Sequence, residues 1–144
     1  MARLYLIAEI AGRPVAIDSE RVESVVDIGE ITAVPRAASH VRGLAALRSR
    51  VVTVVDTRAV LGLARSGQEA KRAVITLADG HPYALLVDAL DDVAPFDRQP
   101  LANGVQLDRA WGAAARGIVE RDGEPILVID PASLIPGHAP NVTD

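Results

Sequence analysis

Cysteine is absent from the chain, so no disulfide can staple the fold and no thiolate can act as nucleophile or metal ligand. That absence fits a reducing cytoplasm. Aromatic residues make up only 3%, and Tyr5, Tyr83, Phe96 and Trp111 are too scattered to form the stacking platform of a single-strand nucleic-acid binder. An excess of positive charge is missing too. A formal net charge of −4 argues against binding to nucleic acid or to an anionic membrane, both of which favour a basic face. The apolar start, MARLYLIAEIAGRPVAID, is short and broken by Glu9 and Arg13, so it reads neither as a signal peptide nor as a membrane span. No glycine-rich phosphate loop occurs, and Ser49 and Ser66 lack the flanking glycines of a nucleophile elbow. These absences together predict a soluble intracellular protein with no catalysis, no cofactor, no bound metal and no direct membrane insertion.

What is present is an apolar share of 49% in 144 residues, enough for one compact core. A chain of this size buries roughly 70% of its unfolded surface. The most informative stretch is Val41 to Leu63, VRGLAALRSRVVTVVDTRAVLGL. Val51 to Asp56 is a β-branched run interrupted only by Thr53, as expected of a strand buried on both faces. Asp56 can cap a short helical piece, Thr57 to Leu61, and Gly62 stands where a helix end needs a left-handed residue. Arg42, Arg48 and Arg50 crowd the entry to this strand. They are either solvated loop charge or a docking edge for a partner's carboxylates and main-chain carbonyls.

Taken in order, Arg3 to Ile10 reads as a strand, Ala11 to Pro14 as a turn, and Val15 to Ile17 as its hairpin partner. Asp18 or Ser19 caps one helical turn through Ser24, and a strand resumes at Val25. Glu30 to Pro35 is extended, because proline disfavours helix at the residue before it. Residues 64–70 form a polar, flexible linker between two subdomains. Lys71 to Ala78 and His81 to Asp88 make a hairpin around Asp79-Gly80, a type I′ turn signal. A bent strand follows over Ala89 to Val93, with Asp91 and Asp92 exposed, and residues 95–109 are loop. Arg116 to Arg121 and Pro125 to Ile129 form a last hairpin around Asp122-Gly123. Asp130-Pro131 opens a closing helical turn, and residues 136–144 are a tail. Nine to eleven short strands with regular turns predict an all-β protein made of two small barrels. The expected division is about 1–66 and 67–135, with exchange of strands between the halves allowed.

Three aspartates, Asp56, Asp88 and Asp130, each end an apolar strand. A carboxylate cluster for metal or acid–base work is conceivable, but no histidine or glutamate lies at ligand spacing, and strand-end Asp is an ordinary cap. His40, His81 and His138 each stand alone and read as solvated. Binding surface is what remains.

The pattern V-R-G-x-x-x-L-R-x-x-V-V-x-V-V-D-x-R resembles the central signature of CheW-like domains, adaptor modules that couple chemoreceptors to a histidine kinase. That family reads G-x-x-N-L-R-G-x-x-x-P-V-[IV]-D-L-R, and Gly43, Leu47, Arg48, Val54, Val55, Asp56 and Arg58 match. Ala46, Ser49 and Thr53 depart from its Asn, Gly and Pro, and Ser24 stands where it carries an acidic residue. Ile31 to Pro35 and the closing Gly117 to Asp130 resemble its other segments. The resemblance implies two small five-stranded barrels, SH3- or OB-like, sharing a core, and a groove for the helical tip of a methyl-accepting receptor that includes Val22, Gly43 and Arg48. It implies a second contact, with the regulatory domain of a CheA-like kinase, through exposed aliphatic Val15, Ile17 and Val25. Asp56 and Arg58 are structural in this reading. Two alternatives stay open: a scaffold for a non-chemotactic kinase cluster, or a small ligand- or oligonucleotide-binding barrel, which would need an exposed aromatic pair and a basic groove.

Overall fold

The computed structural model describes residues 2–36, 40–63, 72–101 and 109–135. Ten strands fall into two five-stranded sheets. The first holds β1 (Arg3–Ile10), β2 (Arg13–Asp18), β8 (Ala89–Phe96), β9 (Ala115–Arg121) and β10 (Glu124–Ile129), in the order β8-β1-β2-β10-β9. The second holds β3 (Ser24–Asp27), β4 (Val41–Leu47), β5 (Arg50–Val55), β6 (Arg72–Ala78) and β7 (His81–Leu86), in the order β3-β6-β7-β5-β4. The expected all-β architecture is therefore present. Hydrogen bonds do not close either sheet into a complete barrel among the described strands.

The strands β3 to β7 form one sheet, while β1 and β2 share the other with the chain's last three strands. Parallel pairing of β2 with β10, through Val15↔Leu127 and Ala16↔Val128, draws the C-terminal strands back to the N-terminal hairpin. The expected linker at 64–70 and the tail at 136–144 lie outside the described residues.

Burial explains the unbroken apolar runs. Along β1, Tyr5 and Ile7 point into one cluster with Ala16, Val119, Ile126 and Val128, inside the first sheet. The alternate residues Leu6, Ala8 and Ile10 point the other way, into a cluster shared with Val55, Val74, Leu85 and Ile129. β6 repeats the arrangement: Ala73 and Ile75 face a cluster inside the second sheet, and Val74 faces the shared one. Each central strand is thus buried on both faces, which removes the polar alternation of a half-solvated antiparallel strand.

The two sheets repeat one plan. β4 and β5 correspond to β9 and β10, and each pair ends on a buried aspartate, Asp56 or Asp130. Asp56 accepts from Ala59 N at 3.4 Å and caps α1 (Thr57–Val60). Asp130 accepts from Ala132 N at 3.1 Å and caps the 3₁₀ turn Pro131–Leu134. The helical pieces expected after both residues are present. Two elements were not expected, the strand over Val41–Leu47 and α2 (Arg109–Ala114).

Candidate partner-docking site

The seam between the sheets is flanked by the 3₁₀ turn Ser19–Arg21 on one side and Pro131–Leu134 on the other. Asp18 caps the first turn, its carboxylate accepting from Glu20 N at 3.0 Å. Val22 ends that turn in extended conformation and donates its N–H to Ser19 O at 3.2 Å. The chain must leave the turn here because Glu23 N is taken by Ile75 O on β6, at 2.7 Å. Val22 is half-buried against the shared cluster and lines a groove of about 300 Å3 with Thr76, Leu77, Pro131 and Ala132.

The polarity of β6 is reversed at this groove. Thr76 is buried and donates its hydroxyl to Arg21 O at 2.8 Å, while neighbouring Leu77 is 50% exposed. An exposed leucine beside a half-buried valine, on rigid strand and turn, is an apolar contact surface.

Gly43 does not share this groove. It is buried in β4 with φ +144°, a backbone region open essentially to glycine, and an added Cβ would run into the Thr32 carbonyl. Thr32 and Leu44 exchange main-chain hydrogen bonds of 2.8 and 2.9 Å there, which covers the outer edge of β4. Gly117 repeats the device at φ +143°, under the Gln99 carbonyl, beside the Gln99↔Ile118 bridge. Gly43 is thus placed to shape the strand edge.

Arg48 lies at the tip of the β4–β5 hairpin with φ +56°. The other three hairpin tips, Ala11-Gly12, Asp79-Gly80 and Asp122-Gly123, carry two positive-φ residues each, with glycine second. Of the three crowded arginines, Arg42 turns inward, its Nε 3.5 Å from Asp56, and Arg50 pairs with Glu23. Arg48 has no carboxylate partner among the described residues, whereas Arg42 is the arginine that bridges Asp56. Its exposed guanidinium lines a second groove, of about 350 Å3, with Ser24, Val25, Val26 and Leu47. Residues 22–25 run from one groove to the other, Val22 and Glu23 lining the first and Ser24 and Val25 lining the second with Arg48.

The exposure expected of Val15 and Ile17 is corrected. Val15 and Ile17 are 0% and 1% exposed, both in the shared cluster, and Val25 is half-buried against it. Val15 and Ile17 lie on β2, whose parallel pairing with β10 is a contact between opposite ends of the chain that local sequence does not announce. Aliphatic residues of the first sheet that are exposed include Leu4 on β1 and Val93 on β8.

Asp56 and Arg58 have separate tasks. Arg58 spans to Asp88, Nη2 to Oδ2 at 2.8 Å and Nε to Oδ1 at 3.2 Å, and this hydrogen bond holds its already high pKa higher still. The three strand-end aspartates are each engaged by donors within the protein, and no metal-binding group of three or more His, Cys, Asp or Glu occurs among the described residues. His40 is half-buried, with an unpartnered Nδ1, where a solvated residue was expected; His138 lies outside the described residues. No described helix is long and apolar enough to cross a membrane.

The CheW-like domain profile matches residues 4–138. The chain belongs to the CheW-like domain family. The chemotaxis protein CheW of Thermotoga maritima is 27% identical over 127 residues, covering 88% of this chain and 83% of that protein. The chemotaxis protein CheW of Rhizobium meliloti (strain 1021) is 30% identical over 133 residues, covering 84% and 83%. The crystal structure of the scaffolding protein TtCheW from Thermoanaerobacter tengcongensis superposes with a TM-score of 0.79 at 25% identity, covering 93% of this chain and 92% of that one. Like the CheW-like family as a whole, this chain is a non-enzymatic scaffold or adaptor.

Sequence reasoning missed Leu77. Leu77 was hidden because an apolar residue in a strand reads as core; the adjacent Thr76, buried in its place, was the available signal.

Proposed function

We propose that this protein couples chemoreceptors to a CheA-like histidine kinase in the cytoplasm, holding both at receptor arrays on the inner face of the membrane through its partners. Membership of the CheW-like family supports this, together with the chemotaxis role of its relatives. The observation that supports the receptor contact is the pair of grooves joined by residues 22–25, exposed, unbridged Arg48 lining one and Val22 and Leu77 the other. Aliphatic side chains on rigid strands suit the apolar stripe of a receptor helix, and a guanidinium fork suits its carboxylates or carbonyls. Gly43 serves this surface indirectly, by keeping β4 and the Thr32 strand in contact.

The kinase regulatory domain docks in this reading on aliphatic residues that the first sheet does expose, Leu4 and Val93, in place of buried Val15 and Ile17. Signalling is then a matter of differential affinity. A receptor state that favours one bound form of the kinase shifts its population, and no covalent step occurs in the adaptor.

Arg48→Glu tests the receptor contact. Co-sedimentation with receptor-bearing membranes is expected to fall severalfold while the far-UV spectrum is unchanged. Full retention of binding would remove Arg48 from the contact surface.

A further inference from the structure

The seam groove does not end at Val22. Glu20, Arg21, Asp130 and Pro131 line it and also line an adjoining cavity of about 320 Å3, whose other walls include Arg3, Arg98 and Arg116. Four arginines therefore face three carboxylates, those of Asp18, Glu20 and Asp130, in a chain whose overall charge is −4. The carboxylates are engaged within the protein. Arg3 lies 3.0 Å from Asp18 and 3.2 Å from Glu20, and Arg116 lies 3.4 Å from Asp130 while also donating to Ser133 Oγ at 2.9 Å.

Arg98 is different. It has no carboxylate partner among the described residues. Its stem crosses the face of Gly117, where an added Cβ would stand 3.1 Å from Arg98 Cγ, so glycine makes room for this side chain. The main chain beside it is fixed by the Gln99↔Ile118 bridge, with both hydrogen bonds at 2.8 Å. A guanidinium held near a cavity with surplus positive charge is prepared for one more anion.

Building on the adaptor reading, we propose that Arg98 receives a carboxylate from the same helical segment that lays its aliphatic residues on Val22, Leu77 and Ala132. The partner is thus an amphipathic helix with an apolar stripe and an acidic residue at one end of it. A small free anion would fill the arginine end and leave the aliphatic groove open to water; one continuous segment accounts for both. The arrangement also discriminates, because a helix presenting lysine or arginine at that place meets a like charge.

The test uses the full chain and, as probe, the purified cytoplasmic signalling fragment of a chemoreceptor from the same organism, titrated at low and high salt. Arg98→Glu is expected to weaken binding roughly tenfold and to flatten its salt dependence. Arg98→Gln, which adds no repulsion, weakens it less. Leu77→Asp weakens binding while leaving the salt dependence in place. If both Arg98 variants bind within twofold of the unaltered protein while Leu77→Asp does not, the carboxylate site is overturned and the adaptor reading stands. If the unaltered protein does not bind the fragment at all, the adaptor reading falls and takes the site with it.

Discussion

Arg58 clasps Asp88 through two hydrogen bonds, and Asp88 Oδ2 also accepts from Gly12 N at 3.2 Å. One carboxylate thereby ties α1 to the segment between β7 and β8 and to the tip of the β1–β2 hairpin. Both side chains are about 30% exposed or less, so solvent screens the pair only partly. Arg58→Ala is expected to cost about 1 kcal/mol of stability, and Arg58→Lys to recover little of it, because an ammonium cannot reproduce the fork. Denaturant unfolding of the two variants and of Asp88→Asn measures this, and a full rescue by lysine would show that only charge matters.

The glycines separate shape from contact. Gly43→Ala and Gly117→Ala each drive a methyl group into a main-chain carbonyl at a φ near +144°, and each is expected to lose about 2 to 4 kcal/mol. Gly62→Ala has open space around it and meets only the strain of φ +77°, worth about 1 kcal/mol. Thermal melting should rank Gly62→Ala well above the other two. A Gly43→Ala protein that melts normally yet fails to bind receptor would instead make Gly43 a contact residue.

Much of the fold was legible because its signals are local. Asp79-Gly80 and Asp122-Gly123 announced two hairpins, and the capping chemistry of Asp56 and Asp130 announced the two helical pieces. The strand Val41–Leu47 was not legible, since Gly43, Ala45 and Ala46 have low strand propensity and are held there by pairing with β5 and Thr32. Nor was the burial of Val15 and Ile17, because their neighbour β10 is more than a hundred residues away in the chain. At the site, Arg48 stood out by crowding, whereas Arg98 carries no local mark and gains meaning only where β1, the first 3₁₀ turn and β9 bring Arg3, Arg21 and Arg116 to the same cavity.

The hairpin tip at Arg48 should show function at odds with stability. A non-glycine residue in left-handed conformation is strained by about 1 to 2 kcal/mol, offset in part by the greater unfolded freedom of glycine. Arg48→Gly is therefore expected to leave stability unchanged or raise it by about 1 kcal/mol, while receptor binding falls. Paired unfolding and co-sedimentation measurements check both halves, and a destabilised variant would mean that the arginine side chain supports the fold.

Tyr5 links the first sheet's core to pH. It is 1% exposed, packs at 6.4 Å from Phe96, and burial raises its phenol above the ordinary value near 10, with Asp18 adding to the rise and Arg98 and Arg3 opposing it. Because the folded pKa lies above the unfolded one, the folded state holds its proton where the unfolded chain has begun to release it. This contribution is complete below about pH 10 and is lost as pH rises from there through the folded value. Tyr5→Phe cannot ionise in either state, so its stability is expected to decline less between about pH 10 and pH 11.5 than that of the unaltered protein. Denaturant midpoints across that range decide it: parallel declines would show that the phenolate forms in the folded protein as readily as in the unfolded chain.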